Sequence, residues 1–213
     1  MAAHAGMMMG KSNGLQLDLE MVMKKLSKWI QNASKGWVAL TALAIFLLFT
    51  ALVLPRQAST AEANTGGAWT PDLSFYYTAD DLYQLAGAYG AEGRAAYIQA
   101  RFTFDLVWPL VYVLFLTTAI GWLFRKAFPP GSPWQLSNLA PLFGMLFDYL
   151  ENIATSLVMA RYPTPISIIA ALAPVFTMLK WVCVGGSFVL LLMGIAAGVG
   201  ALIIGVFIRK RGR

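Results

Sequence analysis

LAPLFGMLFDYLENIATSLVMA, residues Leu139–Ala160, is long and apolar enough to cross a bilayer, yet it carries Asp148, Glu151 and Asn152 near its middle. Steps of three and four put those side chains on one helical face, with Thr155 about one turn further on. A carboxylate at membrane depth costs at least ~2.5 kcal/mol on insertion scales, so such groups turn toward a protein interior or a water-filled cavity. Other parts of the chain must then supply partners. The candidates are Lys180, Arg101, Asp105, Tyr112 and Tyr149.

The whole composition agrees with a membrane protein. Of 213 residues, 58% are hydrophobic and 12% charged, and mean hydropathy is +0.63. Soluble domains carry roughly 25% charged residues. The net charge of +6 does not indicate nucleic acid, because the basic residues sit at the ends of apolar runs, where orientation signals lie. The lone Cys183 allows no disulfide within the chain, and the lone His4 leaves no histidine for a metal, haem or triad site inside the fold. A hard cation held by the acids stays chemically open, but neither a metal nor a cofactor is assigned.

Taken outward from that run, the expected fold class is all-α: a four-helix membrane bundle with an N-terminal interfacial helix and a small helical outer segment. Residues 1–14 are expected to be disordered. Residues 15–36 hold an amphipathic helix, with Leu15, Leu19, Val22, Leu26 and Ile30 on one side and Lys24, Lys25 and Lys28 on the other. Such a helix suits an anionic leaflet or the underside of the bundle. One membrane domain, 37–208, then carries spans at about 37–54, 102–124, 139–160 and 166–208, the last long and kinked, followed by a basic tail, 209–213.

Between the first two spans, 56–71 is expected to be a loop and 72–93 an aromatic lid on the outer mouth. Within that lid Thr78 caps a helix starting near Ala79, and Gly90 and Gly93 permit a sharp turn. In the second span, Asp105, Trp108, Pro109 and Tyr112 share a face, and Arg101 precedes Asp105 by four. Pro109 frees the Asp105 carbonyl from its helical bond.

Charge asymmetry sets four spans over five. Four spans with the N-terminus inside leave eleven Lys and Arg inside and four outside, whereas a fifth span would move the tail charges to the wrong side. Both termini are therefore expected in the cytoplasm and the location in a bacterial inner membrane. Gly194 and Gly198 form a small-xxx-small step suited to close helix contact, within the chain or in a homodimer.

The expected polar path is lined by Asp105, Tyr112, Asp148, Glu151, Asn152 and Lys180, with Arg94 and Arg101 at its mouth. Three readings follow. The bundle binds or translocates a small amphipathic or lipid-like ligand. It modifies a lipid, with Asp148 or Glu151 as acid or base. Or the acids and Lys180 fix helix packing in a structural subunit. Electron transfer lacks ligands, and a channel lacks a repeated polar pore pattern.

The elements Gly93-Arg94-x-x-Tyr97, Asp105-x-x-x-Pro109-x-x-Tyr112, Asp148-Tyr149-x-Glu151-Asn152 and Lys180-Trp181 resemble a family of small bacterial four-span membrane proteins with no assigned activity. That resemblance covers about 75–181 and implies a topology and the same polar residues, with no chemistry. A fainter likeness, through Asp105 and Pro109, is to the EXPERA group of sterol isomerases and sigma-2-type receptors, which share four spans and an outer segment after the first. The isomerase histidine has no counterpart in the spans here.

Overall fold

The structure is a computed structural model. It describes the backbone of residues 2–211, with side chains for residue 14 and for 16–200. The described chain is all-helical: α1 (Ala2–Ala33), α2 (Gly36–Leu52), α3 (Leu54–Thr65), α4 (Ala79–Ala88), α5 (Gly90–Arg101), α6 (Phe104–Ala127), α7 (Ala140–Arg161) and α8 (Ser167–Arg211). Short 3-10 turns at Pro71–Leu73 and Pro133–Leu139 complete it.

Three helical stretches are long and apolar enough to cross a membrane: Gly36–Thr65, Gly90–Ala127 and Ser167–Gly200. The apolar windows of the first and last are only 11% and 17% buried. Surface that apolar suits lipid, not water. α7 has the length, 22 residues, but its own polar stripe keeps it out of this group.

Four local outcomes differ from the sequence reading. Helix α1 already begins at Ala2, where an irregular segment to residue 14 was expected; Ala and Met are strong helix formers, and Gly14 is tolerated within the run. The side chains of residues 1–13 lie outside the description, as does the tail beyond Arg211. Second, the expected loop at 56–71 is largely α3. Pro55 sits in its first turn, Ala58, Ala61 and Ala63 favour helix, and Gly66 closes it in the left-handed conformation at φ 64°. Third, the helix of the second span starts at Phe104 and not at about 102, because the chain leaves helix at Phe102–Thr103 between α5 and α6. Fourth, the sharp turn is made at Gly90 (φ 64°), while Gly93 lies inside α5, where a Cβ would fall 2.9 Å from the Asn64 carbonyl oxygen.

Two apolar cores hold the bundle. The outer one joins Tyr77, Leu82, Leu85, Ala86, Tyr89 and Tyr97 to Ala154, Val158 and Met159 of α7 and Ala170 and Ala173 of α8. The other joins Ala39 and Ala42 of α2 to Tyr112, Leu116, Ile120 and Phe124 of α6 and Leu191 of α8. Helix α4 enters the outer core on a complete capping box. The Asp81 backbone N–H donates to Thr78 Oγ1 at 3.1 Å, and the Thr78 backbone N–H donates to Asp81 Oδ2 at 2.8 Å.

At the opposite end, α1 is fastened by its last turns. Ser27 donates to Asn138 Oδ1 (2.8 Å), and Arg125 donates to the carbonyls of Gln31 (2.6 Å) and Ser34 (3.0 Å), occupying acceptors left free at the helix end. Gly194 packs on α6 within the chain: a Cβ there would meet Leu123 and Phe124 at 3.0 Å. Gly144 is tighter still, with Val184 Cγ2 at 2.8 Å from such a Cβ, so α7 and α8 approach closely at the level below the acids.

Candidate functional site

Between the two cores, α6, α7 and α8 each contribute polar side chains at one level. On α7 the one-face spacing works as geometry requires: Asp148, Glu151, Asn152 and Thr155 are all buried. On α8, Thr177 and Lys180 occupy the stretch between Ala173 of the outer core and Leu191 of the other.

The deepest pair is Lys180 and Glu151. Lys180 Nζ lies 2.6 Å from Glu151 Oε2, and both side chains are almost wholly enclosed. Glu151 Oε1 has no hydrogen-bond partner among the described residues, and neither has Asn152 Oδ1. Lys180 also donates to the Asp72 carbonyl oxygen at 3.3 Å.

A second group lies beside it. Arg101 Nε is 2.8 Å from Asp105 Oδ2, and Arg101 Nη1 is 3.1 Å from Asp72 Oδ1. The guanidinium also stacks over the Tyr97 ring, 4.6 Å from its centre. Tyr97 in turn donates to Thr155 Oγ1 at 3.1 Å, which ties α5 to the α7 stripe. Outside the spans, the Tyr77 hydroxyl meets Thr177 Oγ1 at 3.0 Å, and burial raises its phenol above the ordinary tyrosine range.

Asp148 is held differently. It accepts from the Tyr112 hydroxyl at 3.1 Å and from Asn152 Nδ2 at 3.4 Å. Among the described residues no cationic side chain pairs with it. Tyr149, a further candidate partner, points elsewhere and donates to the Leu106 carbonyl at 2.9 Å, beside the proline of α6.

Several of these groups line the wall of a cavity of about 560 Å³. Asp72, Arg101, Asp105, Tyr112, Asp148 and Lys180, with Gln57, Glu62 and Thr65 of α3, supply polar lining. Phe46, Phe104, Trp108, Trp181, Val184 and Phe188 make much of the rest. The volume lies within the range of small-molecule sites, and a largely apolar lining with a few convergent polar groups is their usual form.

Of the eight residues singled out from the sequence, five line this cavity: Arg101, Asp105, Tyr112, Asp148 and Lys180. Glu151 and Asn152 lie behind the wall, touching Lys180 and Asp148. Arg94 is not at the mouth. It donates to the Ala86 carbonyl at 2.8 Å and covers the Tyr162 ring, so it fastens α4 to α5. Its charge near the outer end gave no means of telling a mouth from a clamp.

Asp72 was not singled out, although it touches both cations. Trp181, named only in the Lys180-Trp181 element, also lines the cavity, and its buried indole N–H has no partner among the described residues. Of the expected lid, 72–93, Asp72 and Leu73 line the cavity together with Gly67–Thr70 just before them, whereas α4 covers the outer core. Among the described residues, no group of three or more His, Cys, Asp or Glu is arranged to hold a metal ion. No family model, characterised protein or solved structure matches the chain.

Proposed function

We propose that this chain is a four-span protein of a bacterial inner membrane, with both termini cytoplasmic, that binds a small amphipathic ligand in the acid-lined cavity. In this reading α7 also crosses the membrane, as the third of four spans in chain order. Its polar face is covered by α6 and α8, and its other side carries the exposed Phe143, Leu146, Ile153 and Leu157. The resemblance to small four-span proteins supports the same topology.

One observation carries the binding reading: a single cavity is lined by carboxylates and cations together with aromatic rings. Two cations, Arg101 and Lys180, face four carboxylates in its lining: Glu62, Asp72, Asp105 and Asp148. Lys180 is further engaged by Glu151 behind the wall. A protonated amine on an apolar tail answers both the acid excess and the aromatic rings, whose faces attract cations. Asp148 is its main anchor, because its present partners are neutral donors.

Native mass spectrometry of the protein purified in mild detergent tests this reading. A retained amphiphile carrying a basic nitrogen is expected. Recovery of the bare chain alone, also after incubation with a long-chain amine, would contradict it. A second reading, a packing network in a structural subunit, is favoured by the enclosed Lys180–Glu151 pair. It predicts a co-purifying protein and no small molecule.

A further inference from the structure

We infer that the ligand of this cavity comes from the lipid and not from water, entering sideways through a cleft between α3 and α8. This rests on the binding reading above. Helix α2 packs along α6, and α8 packs along α6 and α7, but among the described residues neither α2 nor α3 packs along α8. The two sides meet at Phe46 and Phe188, whose rings are 6.3 Å apart and close the lower end. Above them, Leu54, Ala58 and Ala61 of α3 and Trp181 and Val184 of α8 all line the cavity. The α8 edge offers Trp181 and Val184, and the α3 edge interleaves Leu54, Ala58 and Ala61 with Gln57, Glu62 and Thr65, so it has apolar surface for a tail and polar groups for a head.

The depth of the gap fits an amphiphile. A hydrocarbon layer of roughly 30 Å is crossed by about 20 helical residues. Counted from Trp37, that length ends near Arg56, so α3 stands at the outer headgroup boundary. A molecule lying there with its head at the boundary presents that head to the cleft, level with Ala58 and Ala61, and its tail lies below.

The water side is obstructed. Gly67–Leu73 crosses the outer end of the cavity and is tied down through Asp72, whose carboxylate meets Arg101 and whose carbonyl accepts from Lys180. Entry from water requires breaking both contacts, whereas entry from lipid requires only that α3 and α8 part.

The test bridges α3 to α8 in the Cys183→Ser background, using Ala58→Cys and Val184→Cys joined by a short bis-maleimide, with dodecylamine as the probe and native mass spectrometry as the readout. Without the bridge, dodecylamine binds. Bridging the empty protein slows uptake on the order of tenfold, and bridging the loaded protein slows release to the same degree, as a blocked gate requires. Unchanged uptake in the bridged protein overturns the sideways route while leaving the binding reading standing. Slow uptake with release at the unbridged rate also overturns it, since a distorted site would behave in that way. Failure of the unbridged protein to bind dodecylamine overturns the binding reading and the route with it. Ala58→Trp narrows the same gap without a bridge and is expected to slow both rates, and unchanged rates in that variant count against the cleft.

Discussion

Lys180 Nζ lies 2.6 Å from Glu151 Oε2, and the two side chains are among the most enclosed charged groups of the bundle. Removing either partner strands a charge away from water, at a cost of about 3–5 kcal/mol, whereas replacing both by apolar residues of similar size is often neutral. Lys180→Met and Glu151→Leu are therefore each expected to lower thermal stability in detergent sharply, and the double variant to recover most of the loss. Additive losses in the double variant would show that the two residues are not energetically coupled.

The close approach of α7 and α8 gives a second expectation. A methyl group at Gly144 would fall 2.8 Å from Val184 Cγ2. Overpacking of this kind costs typically ~1–3 kcal/mol. Gly144→Ala should destabilise, and Val184→Ala in the same chain should relieve part of the cost. Thermal melts of the two single variants and the pair decide it, with wild-type stability in Gly144→Ala as the contrary result.

Helix α4 should respond to acid. Hydrogen bonds from the Thr78 side chain and backbone hold the Asp81 carboxyl below the usual carboxylate range. Because its folded pKa lies below the unfolded one, the contribution of the cap is complete above the unfolded value of about 4 and is lost as pH falls through the lower folded value. Amide exchange in Leu82–Ala86, corrected for intrinsic rates, should accelerate across that acidic window. Asp81→Asn should abolish this step, and an identical acid response in the variant would remove the cap as its source.

The proposed topology is testable by cysteine labelling in the Cys183→Ser background. Ser74→Cys, beyond α3, should react with a membrane-impermeant maleimide added outside intact cells. Ser132→Cys, between α6 and α7, should react only after permeabilisation. Equal reactivity from outside at both positions would refute the assignment of four spans with both ends in the cytoplasm.

How much of this was legible beforehand follows from how local each signal is. Helical periodicity is local, so the common face of Asp148, Glu151 and Asn152 could be read from spacing alone, as could the Thr78 cap. The aliphatic composition of α2 and α8 likewise marked them as helices fit for lipid. Asp72 could not be found that way. It reaches Arg101 and Lys180 because Gly66 and Gly67, both at positive φ, end α3 and let the following strap return over the bundle. The adjacent glycines ahead of Pro71-Asp72 were the one local trace of that return. Arg94 failed for the opposite reason: its neighbours in sequence placed it near the cavity, while its side chain turned to the Ala86 carbonyl. The helix at 54–65 was masked by its polar residues, which read as a loop until α2 is seen to continue into it.

The central claim, that the cavity selects an amine-bearing amphiphile through Asp148, is tested most directly by equilibrium binding of dodecylamine, dodecanol and dodecanoate to the purified protein. The wild type should bind the amine on the order of tenfold more tightly than the alcohol, equivalent to about 1.4 kcal/mol, and the carboxylate more weakly than either. Asp148→Asn should bring the amine down to the affinity of the alcohol and leave the alcohol unchanged. Equal affinity for amine and carboxylate, or an Asp148→Asn protein that still prefers the amine, would contradict the account.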